Sequence, residues 1–69
     1  VNVRIITGHN SLPGKPFKVE ITVGTKFTAF EVRSIAEADT MADQVASSAE
    51  RVGHQVERLD RIARPVPAP

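Results

Sequence analysis

The residues with chemical potential gather early in the chain. Gly8-His9-Asn10-Ser11-Leu12-Pro13-Gly14-Lys15-Pro16 sets a histidine, a serine and a lysine among glycines. Two chemistries use such sets: a glycine-rich loop that cradles phosphate, and a hydroxyl activated by a nearby imidazole. Neither fits. Five residues separate Gly8 from Gly14 where the phosphate loop needs four, and Pro16 stands where a magnesium-binding Ser or Thr belongs. A strand pattern follows, so no helix N-terminus faces a phosphate. Ser11 lies near His9, but no orienting acid and no oxyanion-hole signature accompany it. The Pro13–Pro16 match to a P-x-x-P pattern is explained by a turn.

Metal chemistry is equally bare. The chain has two histidines, His9 and His54, in different segments, and no cysteine. A site needs several convergent N, O or S ligands. No metal, cofactor or catalytic residue is therefore expected, and both histidines read as solvated side chains.

Size limits what else the chain can do. At 69 residues it forms one domain, which buries only about 60% of its unfolded surface. Without disulfides, helix packing or self-association must supplement the core. The net charge is +1, but it is divided unevenly. Residues 1–33 carry five cations against two acids, a net +3, and residues 34–69 carry four against six, a net −2. That lean falls short of the basic stripe of a strong nucleic-acid binder. No signal peptide or membrane span is read, and a cytoplasmic chain is expected.

The elements follow from patterning. Val1–Thr7 reads as a β-branched strand with Val1, Val3 and Ile5 on one face and Ile6 on the other. Gly8–Pro16 reads as a loop with a Pro13-Gly14 turn, Gly14 taking positive φ. In Phe17–Val23, apolar Phe17, Val19, Ile21 and Val23 alternate with Lys18, Glu20 and Thr22. Gly24-Thr25 suits a two-residue hairpin with Gly first. That turn pairs Val23 with Lys26, Ile21 with Thr28, Val19 with Phe30 and Phe17 with Val32. It also sets Lys18 opposite Glu31, while Phe27 falls on the polar face.

Ser34-Ile35-Ala36-Glu37 matches a capping box and starts a helix. Its end is ambiguous. Gly53 suits a C-terminal cap, which would leave residues 54–60 as a weak fourth strand. Alternatively the helix runs to Ala63. Heptad positions Ile35, Ala42, Ala49, Val56 and Ala63, with Ala38, Val45, Val52 and Leu59, are all apolar, and the phase passes through Gly53 without a slip. The preferred expectation is α+β: a three-stranded antiparallel sheet (about 1–7, 17–23 and 26–33) and one long helix (about 35–63). The alternative ends the helix near 53 and adds the strand. Residues 1–64 make the domain, and 65–69, with three prolines, a disordered tail.

A helix of that length would be ~43 Å long against ~23 Å for a seven-residue strand. Its overhang predicts a homodimer, with Val45, Ala49, Val52, Val56, Leu59 and Ile62 at the interface. The expected function is a non-enzymatic protein-interaction module, an inhibitor or adaptor of the size of phage or plasmid accessory proteins. Phe27, Lys18, Arg33 and Lys15 are the residues expected to touch an unidentified protein partner. The alternative is nucleic-acid binding by the basic half, through Arg4, Lys15, Lys18, Lys26 and Arg33. No membrane role is expected.

Overall fold

The computed structural model describes residues 1–64; the expected tail at 65–69 lies outside them. The element order is β1 (Asn2–Leu12), β2 (Lys15–Val23), β3 (Lys26–Val32), α1 (Ile35–Arg51) and β4 (Gln55–Asp60). The class is α+β, as the patterning predicts.

Both hairpins form where turn chemistry puts them. Gly24 has φ 60 and Thr25 does not have positive φ, so Gly24-Thr25 is a type II′ turn. The β2–β3 register matches the predicted pairs throughout, from Val23↔Lys26 to Phe17↔Val32, with Lys18↔Glu31 on the other face. The first hairpin departs from expectation. Residues 8–12 continue β1 instead of forming a loop, and Leu12 pairs with Lys15 across Pro13-Gly14. Gly14 takes φ 79. The register slips between His9 and Leu12, a bulge that fits this turn onto the strands. Pairing with β2 outweighs the poor strand propensity of Gly8 and Asn10.

The long helix is corrected. Ser34 caps α1, its Oγ accepting the Glu37 N–H at 3.1 Å. The helix ends at Arg51, not Ala63. Gly53 N–H donates to the Glu50 carbonyl and His54 N–H to the Ala49 carbonyl, both at 3.0 Å, with Gly53 at φ 87. That is a Schellman cap, closing carbonyls a continuing helix would otherwise have paired. The alternative fold holds: residues 55–60 are the fourth strand.

Sheet order is β3-β2-β1-β4, with β4 parallel to β1 and the other pairs antiparallel. Buried β1 has two edges to satisfy, and β2 covers only one. β4 supplies the missing partner, which explains why so polar a segment is a strand. β3 and β4 run in the same direction, so α1 crosses the sheet to join them.

The core lies between sheet and helix. Val3 and Ile5 of β1, Val19 and Ile21 of β2 and Val32 of β3 meet Ala38, Ala42, Ala46 and Ala49 of α1, and Ile62 closes one end. The small alanines bring helix and sheet close, and the molecule is only 15 Å across its shortest axis. That thickness holds one sheet and one helix, so among the described residues no second layer covers the other sheet face.

Candidate functional site

The uncovered face is built by the odd-even alternation of four strands. β1 contributes Asn2, Arg4, Ile6 and Gly8; β2 contributes Lys18, Glu20 and Thr22; β3 contributes Phe27, Ala29 and Glu31; β4 contributes Gln55, Glu57 and Leu59. Ile6 of β1 and Leu59 of the edge strand β4 are directly paired neighbours on it. Leu59 is exposed and Ile6 half-buried. Above them, a Cβ on Gly8 would reach Arg61 Cβ and Lys18 Cε, each at 3.8 Å. Around the apolar pair stand compensated charges. Arg4 Nε lies 3.4 Å from Glu57 and Lys18 Nζ 3.7 Å from Glu20. At the β3 edge Phe27 is 60% exposed.

The predicted partner residues divide into two places. Phe27 is on this face, as its position in the hairpin register requires. Lys18 shares the face on the neighbouring strand, with its charge balanced by Glu20. Lys15 begins β2 at the hairpin tip, where its carbonyl accepts from Asn10 Nδ2 at 3.0 Å. Arg33 follows β3, exposed, at that same end of the sheet. Sequence reasoning missed Leu59, because a helical heptad had claimed it. The signal was its strand parity with Gln55 and Glu57.

The six residues expected on one helical dimer seam do not share a surface. Ala49 and Ile62 are core residues, Val45 and Val56 are half-buried against it, Val52 caps α1, and Leu59 faces the opposite side of the sheet. The overhanging seam disappears with the helix that carried it. The five cations of the nucleic-acid reading are likewise dispersed. Arg4 and Lys18 are ion-paired on the open face, and Lys26 lies on the helix side of β3. Lys15 and Arg33 stand at the far end of the sheet.

The histidines are more engaged than solvated side chains. His9 Nε2 accepts the Ala63 N–H at 2.9 Å, and its ring packs on Phe17 with centroids 5.5 Å apart. To accept there, the ring carries its proton on Nδ1. His54 is half-buried beside Val3, Val45 and Ala49. Among the described residues no group of three or more His, Asp or Glu side chains is placed to hold a metal. A recess of ≈ 370 Å³ lined by Arg4, Thr22, Gln55 and Glu57 holds no nucleophile with a base beside it.

The strongest polar cluster is a latch at the end of β4. Arg64 makes a bidentate contact with Asp39 of α1, Nη2 at 2.6 Å and Nη1 at 3.0 Å, while its Nε donates to Asp60 at 2.6 Å. Asp60 also accepts from the Thr7 hydroxyl at 2.9 Å and from the Ile62 N–H at 3.2 Å. The Arg64 hydrogen bond, with help from Thr7 and Ile62, holds the Asp60 carboxyl down to about 2. Arg64 lowers Asp39 too, and the two carboxylates push the guanidinium further up. Both carboxylates and three of the five guanidinium N–H groups are engaged within the fold, so the cluster acts as a fastener, locking the end of β4 to β1 and α1.

No family model matches this chain, and no curated protein or solved structure is significantly similar to it. Among the described residues, no helix is long and apolar enough to cross a membrane.

Proposed function

We propose that this chain is a small, non-enzymatic protein-interaction module that acts as an inhibitor or adaptor by occupying a partner's surface with its open sheet face. The observation that carries the reading is the apolar Ile6–Leu59 pair on the β1–β4 side of an otherwise uncovered face, bordered by Arg4–Glu57 and Lys18–Glu20. Interfaces share that anatomy: an apolar middle and a polar rim. Exposed Phe27 supplies an aromatic anchor at the margin, the residue type enriched among binding hot spots. The cysteine-free composition fits a reducing, cytoplasmic setting.

The test is affinity capture from the native host with the intact chain, Leu59→Glu and Phe27→Ala in parallel. A discrete protein retained by the intact chain and lost with both variants supports the reading. A captured set that neither variant changes would sink it. Retention on DNA that falls steeply between low and physiological salt, and drops on Arg4→Ala and Lys18→Ala, would replace it with the nucleic-acid alternative.

A further inference from the structure

The two edges of the sheet are protected very differently. The outer strand β4 reads Gln-Val-Glu-Arg-Leu-Asp, charged at half its positions and tied down by Arg58–Asp43 (2.8 Å) and the Arg64 latch. Charge and a covering segment are common means of blunting an edge. At the other edge, β3 reads Lys-Phe-Thr-Ala-Phe-Glu-Val, with charge only near its ends and Phe-Thr-Ala-Phe between. Six of its seven residues are exposed. It contains no proline, glycine or bulge.

The register says which backbone groups face outward. In a two-residue hairpin the flanking pair, here Val23 and Lys26, exchanges both hydrogen bonds. Alternation then turns Lys26, Thr28, Phe30 and Val32 toward β2. Phe27, Ala29 and Glu31 aim their N–H and C=O groups away from the sheet. These are strong groups that seek partners.

We infer that this edge takes the β3 strand of a second copy of the chain, antiparallel and centred on Ala29, joining two four-stranded sheets into one. A two-fold axis perpendicular to the sheet keeps both helices on one side and pairs residues of like parity. Phe27 of one copy faces Glu31 of the other, Ala29 faces Ala29, and Thr28 faces Phe30. Each outward-facing residue therefore meets another, so both rows of donors and acceptors close. The two charges in the strand also avoid their own kind, since Lys26 meets Val32 and Glu31 meets Phe27. Like charges directly opposite would oppose pairing.

The helix leaves room for this. It packs mainly on β1, β2 and β4 and touches β3 least. On the helix side, Thr28 and Phe30 are exposed, with Phe30 at 42%. Phe30 thereby gains a β-branched cross-strand neighbour in Thr28 of the second copy, an aromatic–β-branched pair. Pairing uses the edge and leaves Ile6 and Leu59 free; Phe27 alone is common to both readings, and variants at Ala29 and Phe30 leave its side chain in place, so the edge pairing goes beyond the partner-binding reading and is tested separately.

A contact one strand wide belongs to the small, reversible interface class. The experiment is sedimentation-equilibrium mass over a concentration series up to millimolar, with amide exchange on the same samples, for the intact chain, Ala29→Pro and Phe30→Lys. Among the described residues the Ala29 N–H has no partner, so proline there removes only an outward donor and blocks the edge. The expected result is a monomer–dimer equilibrium with Phe27, Ala29 and Glu31 amides protected as dimer forms. Either variant should weaken association roughly tenfold or more, with Phe30→Lys serving where Ala29→Pro fails to fold. A monomer throughout the series overturns the inference. So does a dimer that leaves those three amides unprotected or that folded variants fail to weaken.

Discussion

Arg64 touches two elements at once, and its partners carry the clearest pH dependence in the molecule. The Asp60 carboxyl sits at about 2 in the fold, against about 3.9 in an unfolded chain. A lowered folded value means stabilisation that is complete above the unfolded value and is lost as pH falls from about 4 toward 2. Because the Asp60 side chain is 45% exposed, solvent screening limits this to about 1 kcal/mol or less. Carboxyl titration followed by NMR should find Asp60 as an acid-shifted resonance. Asp60→Asn should flatten the loss of stability between pH 4 and 2. An Asp60 midpoint near 4 would mean that the latch is open in solution. Nothing in the local sequence marked this cluster. Asp60 and Arg64 are four residues apart, but Thr7 and Asp39 lie far from them in the chain, and only the β1–β4 pairing and the helix crossing bring these to the pair.

Among the elements, the β2–β3 hairpin and the start of α1 were fully legible. In both, chain-local chemistry decides: a glycine at positive φ, a strict period of two, a serine three residues before a glutamate. The end of α1 was not. Gly53 was recognised as a stop signal, yet the apolar heptad positions continued beyond it, and the preferred expectation followed them. The structure resolves the conflict at φ 87. A Cβ at Gly53 would meet no atom within 4 Å, so Gly53→Ala tests backbone strain alone. It should cost about 1–2 kcal/mol, read as a lowered urea midpoint. A gain in helix content without loss of stability would instead favour the continuous helix. Ser34→Ala removes the hydroxyl that accepts the Glu37 N–H and should cost about 1 kcal/mol, measured by the same titration.

For the whole molecule, the alanine row is the main packing device. Ala38 and Ala42 are fully enclosed between α1 and the sheet, and four buried alanines let the helix lie close. Ala42→Leu would force the layers apart or its own side chain off rotamer, costing about 1–3 kcal/mol. Thermal unfolding should show a fall of several degrees. An unchanged melting temperature would mean a looser helix–sheet contact than the structure has. A helix offset from β3, with no second layer behind the sheet, leaves two surfaces without intramolecular partners. The open face and the β3 edge follow from this one arrangement.

By itself, the sequence determined the class, the β2–β3 register, the turn at Pro13-Gly14 and the cap at Ser34. Each rests on neighbours a few residues apart, where sterics and hydrogen bonding act without knowledge of the rest of the chain. Only the tertiary structure decided the fate of residues 54–60. Their own pattern is weak for a strand and passable for a helix. What makes them β4 is the unpaired edge of β1, together with Asp43 for Arg58 and with Thr7 and Arg64 for Asp60. Apart from Arg64, four residues from Asp60, those partners lie far away in sequence, and long-range backbone pairing outweighs the local preference.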